Sequence, residues 1–277
     1  MLMQERTHYF HFNELGGLEM LKAQDLTLEF SRHVHEGFCI GVIDDGAQRF
    51  FRSGANHVAP RGDIILINAD EVHTGSSALD SAWSYRAIYP TPEMFQELTQ
   101  DLTVYQGSVP WFSQAVIHDV GLSQQLRFLF NVLEQPEQHS LFKETLYLST
   151  LACLVSRYGQ SRSSQVALSD HPCGVARVKH LMADQPEQDY SLQELAQAAG
   201  LSQWHFLRQF KKYVGMTPHL WLVQHRIFKA KRLLRAGEPL VNIAMQCGFA
   251  DQSHFTRHFK KALGVTPQNY RQQLILN

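Results

Sequence analysis

Between positions 26 and 90 the chain alternates short apolar runs with turn residues. The runs are Phe38-Cys39-Ile40-Gly41-Val42-Ile43, Gln48-Arg49-Phe50-Phe51, Ile64-Ile65-Leu66-Ile67 and Tyr85-Arg86-Ala87-Ile88-Tyr89. Strands this short and this closely spaced predict a small barrel or sandwich. Asp45-Gly46 predicts a hairpin, and Pro60-Arg61-Gly62-Asp63 a further turn. From Pro92 the apolar period lengthens to that of helices, predicted over 92–102, 123–133 and 141–158, the last carrying Leu146, Leu148, Leu151, Leu154 and Val155. Gly159-Gln160-Ser161-Arg162-Ser163-Ser164 is polar and turn-prone, which places a linker across 159–172 between a domain of 1–158 and another of 173–277.

The second domain is helical in pattern and repeats itself. Ala196-(x)3-Gly200-Leu201, Phe206-x-Arg208-x-Phe210-Lys211-Lys212, Gly215, Thr217-Pro218 and Trp221 return as Ala244-(x)3-Gly248-Phe249, Phe255-x-Arg257-x-Phe259-Lys260-Lys261, Gly264, Thr266-Pro267 and Tyr270. Each copy reads as a helix-turn-helix, spanning 191–214 and 239–263. Ser191-Leu192-Gln193-Glu194 has capping-box form, and Gly200 supplies the turn because glycine adopts positive φ without a Cβ clash. On the helix that follows, Phe206 and Phe210 define a core face. At about 100° per residue, Trp204, Arg208 and Lys211 point the other way, flanked by His205, Leu207 and Lys212. In the second copy Asp251 is the cap, and Ser253, Arg257 and Lys260 point outward. Pro218 to Arg235 reads as one connecting helix with a stripe of Leu220, Val223, Ile227, Ala230 and Leu234. A stiff connector would let both outward faces enter successive major grooves, roughly 34 Å apart.

Charge sharpens this division. The net charge of -1 hides a basic part, 173–277, with 14 Lys+Arg against 6 Asp+Glu, beside an acidic part, 1–172, with 11 against 20. A polyanion partner is therefore expected for the C-terminal part alone. Arg208 and Arg257 are assigned to bases or their neighbourhood, and Lys211 and Lys260 to phosphate. A solvated polar face is the plain alternative for one such helix, and the recurrence of the same offset in both copies weighs against it.

Residues 175–273 closely resemble the DNA-binding domain of AraC/XylS-type transcription regulators. The resemblance runs through both helix-turn-helices, the connector, and Ile243-Ala244-(x)3-Gly248-Phe249-(x)3-Ser253-His254-Phe255-(x)3-Phe259-Lys260-Lys261-(x)2-Gly264-Val265-Thr266-Pro267-(x)2-Tyr270-Arg271. It implies that Trp204, Leu207 and Arg208, and Gln252, Ser253, Thr256 and Arg257, face bases or backbone. It further implies promoter DNA as partner, homodimerisation through the helices of 92–158, above all 141–158, and, for an activator, contact with RNA polymerase.

Residues 26–90 resemble the cupin-type barrel that precedes many such domains. His33-Val34-His35 sets two imidazoles on one face of a strand, as a metal site on a barrel wall would. Metal cupins carry a Glu four or five residues on, which here falls on Cys39 or Ile40. Their second motif, G-(x)5-P-x-G-(x)2-H, counted from Gly54, places Ile65 at the histidine, although His73 could stand in for one ligand. The expectation is a barrel without metal or other cofactor that receives a small effector through His33, His35, His73, Trp83 and Tyr85.

The fold expected is thus two-domain α+β: a cupin-like β-barrel with a helical dimerisation segment, then an all-α pair of helix-turn-helices joined by a long helix. The function expected is an effector-responsive activator rather than an enzyme. The alternatives are a metal-dependent cupin enzyme fused to a DNA-binding tail, a redox sensor at Cys39 or Cys153, and a repressor or architectural binder. Cys39, Cys153, Cys173 and Cys247 show no C-x-x-C spacing, and no signal sequence or membrane-length apolar run is seen, so a cytoplasmic protein with no membrane partner is expected.

Overall fold

The computed structural model describes residues 6–79, 81–100, 104–105, 107–161 and 173–275. They form two compact units, one bearing the strands and the other, Ser163–Gln272, helical throughout its described part.

In the first unit β1 (Arg6–Phe12), β2 (Leu18–Leu26), β4 (Cys39–Asp45), β7 (Ile64–Ile67), β9 (Trp83–Tyr89) and β11 (Val116–Ile117) build a six-stranded sheet in the order β1-β2-β9-β4-β7-β11. A second sheet runs β3-β8-β5-β6, with β3 Phe30–His33, β5 Ala47–Arg52, β6 Ala55–Pro60 and β8 His73–Ser77. The outer face of the larger sheet packs on α2 (Val120–Leu133) and α3 (Ser140–Tyr158). Ile40, Val42, Ile64, Leu66 and Ile88 join Leu126, Leu129, Leu151 and Leu154 there in one core. Because strand side chains alternate, Trp83, Tyr85 and Tyr89 point to the opposite, inner face.

Two expectations change. Asp45-Gly46 is not a hairpin, because β4 pairs with β7 and β9 whereas β5 pairs with β6 and β8. It is a corner between sheets, where Gly46 at φ 69° lies against Trp83 and a Cβ would meet the Ala82 carbonyl oxygen at 2.9 Å. The tight hairpin is Ser53-Gly54, both at positive φ, between the paired Arg52 and Ala55. Finally, Gln160–Ser161, within the expected linker, forms a strand (β12) paired with Pro110–Trp111 (β10), and 162–172 lies outside the described residues. The short helix α1 spans Pro92–Thr99.

The second unit comprises α4 (Cys173–Asp184), α5 (Leu192–Ala199), α6 (Gln203–Val214), α7 (Pro218–Arg235), α8 (Leu240–Gln246), α9 (Gln252–Leu263) and α10 (Pro267–Ile275). The repeat in sequence is a repeat in structure. Phe206, Phe210, Phe255 and Phe259 are fully buried, as are Trp221 and Tyr270, and Thr217 and Thr266 each accept the backbone N–H three residues on.

Candidate nucleic-acid interface and effector site

Each unit of the pair is a short helix, a glycine turn and a second, side-chain-capped helix; the opening helix has a capping box in the first unit, whereas in the second it follows Pro239 without a side-chain cap. The Ser191 hydroxyl accepts the Glu194 N–H at 3.2 Å, while the Glu194 carboxylate accepts the Ser191 N–H and the Ser191 hydroxyl, each at 2.8 Å, and these two bonds to the carboxylate hold it below its ordinary pKa. Gly200 ends α5 at φ 71°, and Ser202 caps α6. Asp251 caps α9 through the His254 N–H at 2.7 Å. Neither α6 nor α9 contains an acidic residue, and each carries an Arg and two Lys.

The outward residues stand where helical spacing places them. Trp204 is 74% exposed, and His205, Arg208 and Lys211 are exposed with it, whereas Leu207 is half-buried. On α9, Gln252, Ser253, Arg257 and Lys260 are exposed and Thr256 is half-buried. Lys211 and Lys260 lie in the last turns of their helices, where the macrodipole favours a cation, so part of their placement has a purely structural reason.

What couples the two units is a residue that the sequence pattern passes over. Arg226, buried on α7, donates from Nε to the Pro186 carbonyl at 2.8 Å, from Nη1 to the Gly248 carbonyl, and from Nη2 to the Gln188 carbonyl and Asp189 Oδ1, each at 2.9 Å. It thereby ties the loop ahead of the first helix-turn-helix to the turn of the second. Gly248, at φ +75°, serves the same junction: a Cβ there would collide with the Glu187 carbonyl oxygen and crowd the Arg226 guanidinium at 2.9 Å. Polar residues in an apolar helix stripe, such as Gln224 and Arg226, were the available signal.

In the barrel, β3 ends at His33, so His35 lies beyond the strand rather than on it. The two rings nevertheless adjoin, with centroids 5.0 Å apart, and His73 from β8 joins them, 4.1 Å from His33 and 4.8 Å from His35. The carbonyls of Ser31 and Glu71 lie 2.7 Å from His33 Nδ1 and 2.9 Å from His73 Nδ1. A carbonyl only accepts, so in both rings Nδ1 carries the hydrogen and Nε2 keeps a lone pair. Burial lowers the pKa of both, and for His73 the neighbouring His33 lowers it further.

Tyr89, which the sequence reading did not select, packs its ring 4.8 Å from His35 and shares hydrogen bonds with Cys39 and Tyr85. Trp83 lies on the same face of β9, and its Nε1, like Gln48 Oε1 on β5, is buried without a hydrogen-bond partner. Burial pushes the Cys39 thiol up to about 12, which suppresses the thiolate a redox sensor needs. Ile65, expected at a ligand position, is buried, and a Cβ on Gly41 would meet its Cγ1 at 2.9 Å, so it fills space as an apolar plug.

Residues 15–151 match the family described as AraC-like ligand binding domain, and 195–273 match a helix-turn-helix domain. A tandem helix-turn-helix unit joined to such a cupin-like domain makes this chain a DNA-binding transcription regulator. It is 30% identical over 252 residues to the HTH-type transcriptional regulator YbfI of Bacillus subtilis (strain 168), covering 90% of each chain. It is 27% identical over 232 residues to the HTH-type transcriptional activator RhaS of Enterobacter sp. (strain 638), covering 80% of each. Its fold is shared by ToxT of Vibrio cholerae O395, with TM-score 0.57, 14% identity, and 98% of this chain and 97% of that one covered. The chain belongs to the AraC-type family of helix-turn-helix transcription regulators. Among the described residues no helix is long and apolar enough to cross a membrane.

Proposed function

We propose that this regulator reads a long asymmetric promoter site with α6 and α9 and activates transcription when a small effector occupies its barrel. The observation that carries the reading is the double presentation of an exposed arginine followed by lysine, Arg208 and Lys211 on α6 and Arg257 and Lys260 on α9, at one helical offset. Arg208 and Arg257 bond base edges, with Trp204, His205, Leu207, Gln252, Ser253 and Thr256 at bases or backbone, and Lys211 and Lys260 neutralise phosphate. Arg226 fixes the relation of the two units, so the reading heads act as one rigid body.

Activation rather than repression follows the name of the RhaS relative, and contact with RNA polymerase comes with it. The partnerless Trp83 Nε1 and Gln48 Oε1 favour an effector with both an acceptor and a donor, because buried polar groups ordinarily find partners. Effector occupancy shifts the population competent to bind half-sites. Homodimers form through α3, where Leu141, Thr145 and Leu148 are exposed at the 4-3 spacing of a coiled-coil seam, with Phe128 of α2 and Phe142 beside it. The chain acts without catalysis. Footprinting of the full-length protein on DNA flanking its gene, with and without candidate metabolites, tests this reading. A protected site whose occupancy or transcription changes with one metabolite is expected, and no protected site at all would overturn it.

A further inference from the structure

Three imidazoles converge in the barrel, and their surroundings fix which nitrogens they present. His33, His35 and His73 each offer one ring nitrogen, all within 4.8 Å of one another. His35 Nε2 and His73 Nε2 are 3.2 Å apart. Tetrahedral zinc with Zn–N bonds of about 2.0–2.1 Å sets its nitrogens roughly 3.4 Å apart, so one pair already has this spacing and small ring rotations bring in the third. The second shell is also built: Nδ1 of His33 and of His73 donates to a main-chain carbonyl, the arrangement that fixes the tautomer and orientation of ligating histidines.

From this geometry we infer that His33, His35 and His73 hold a divalent transition metal ion, Zn2+ or a close relative, whose remaining coordination position takes an anionic oxygen of the effector. The inference rests on the reading of the barrel as the receptor part and names its ligand class. Three neutral imidazoles leave the ion's charge uncompensated, and among the described residues the group that could hold the ion contains these three histidines and no carboxylate. Cys39 and Ile40 stand where metal cupins carry a glutamate, and the Glu71 carboxylate is committed to Arg52 at 2.7 Å, Asn68 at 2.9 Å and Ser53. A small carboxylate or enolate then supplies the charge, with the Tyr85–Tyr89 pair on the same wall. This proposal departs from the expectation of a metal-free barrel. The second motif, counted from Gly62 rather than Gly54, lands on His73, with Asp70 at φ 62° in its glycine position.

The test uses untagged full-length protein stripped with chelator and titrated with Co2+, then competed with Zn2+. One equivalent bound with the visible absorption of a four-coordinate cobalt ion is expected, perturbed by added acetate, and lost in His33→Ala, His35→Ala and His73→Ala chains that still bind DNA. In the unaltered cobalt protein, two exchangeable, hyperfine-shifted ring N–H signals, from the Nδ1 atoms of His33 and His73, are expected whatever the variants do. Absence of stoichiometric binding, or equal binding by the alanine chains, overturns the site. Cobalt absorption indifferent to acetate overturns the open position. Promoter binding that responds to an organic metabolite in metal-free protein would sink this inference and leave the proposed function standing.

Discussion

Arg208 and Arg257 are solvent-exposed opposite fully buried phenylalanines, so their side chains are free to spend their donors on a partner. Arg208→Ala or Arg257→Ala should weaken binding to the specific site by about 1–3 kcal/mol and relax base choice, whereas Lys211→Ala should weaken all sequences alike and make the salt dependence shallower. Binding titrations against site variants at several salt concentrations check both. His225 gives a different prediction. Burial, aided by the charges of Lys179 and Arg232, lowers its pKa to about 4, and its ring is wedged between Trp221 and Phe228. The unfolded chain, with an ordinary pKa near 6.5, binds the proton more readily, so the stabilisation is complete above about pH 6.5 and is lost as pH falls toward 4. Its ceiling is roughly 3 kcal/mol, and His225→Phe should flatten the acid limb of a stability-against-pH curve. At this scale the sequence shows helix faces well, because period and burial go together. It showed His33, His35 and His73 as candidates but not that their three rings meet, since only strand pairing says that β8 lies beside β3.

Among the elements, the helix-turn-helices were legible because most boundaries have a local cause, a Ser or Asp cap, a glycine in the left-handed region or a Thr-Pro start, the uncapped start of α8 after Pro239 being the exception. The barrel was less so. Asp45-Gly46 has the composition of a hairpin, yet its flanking strands belong to different sheets, and the choice depends on long-range pairing that no dipeptide encodes. Strands β1 and β2 precede the region where turn signals were dense, and were not anticipated. The connector α7 was expected to carry a single apolar stripe. Instead Trp221, Leu222, Val223, Gln224, Arg226, Ile227 and Phe228 are all buried, since helices of both units pack around it. Arg226→Met should therefore destabilise the second unit by about 3 kcal/mol, because it strands the carbonyls of Pro186, Gln188 and Gly248 without a donor. Its exposed partner Asp189 adds little. Thermal unfolding measures the loss, and an unchanged midpoint would remove Arg226 as the tie between units.

At the scale of the whole molecule, an acidic receptor part and a basic reading part share one chain, and regulation requires that occupancy of the first alter DNA engagement by the second. Self-association supplies one route. Changing Leu141 and Leu148 together to Glu should weaken the dimer at least about tenfold in sedimentation experiments while the isolated chain stays folded. A dimer unmoved by both charges would exclude the α3 seam. The division into two parts was visible in the charge distribution, whereas the end of the first part was not, because Gln160–Ser161 looks like linker and pairs as a strand. The central claim, that two linked helices read one duplex, is tested most directly by measuring Arg208→Ala and Arg257→Ala against a panel of single-base operator variants. Each substitution should abolish discrimination at its own base pairs, the two sets lying about 10 bp apart. Unchanged affinity and specificity in both chains, or loss at one shared position, would contradict it.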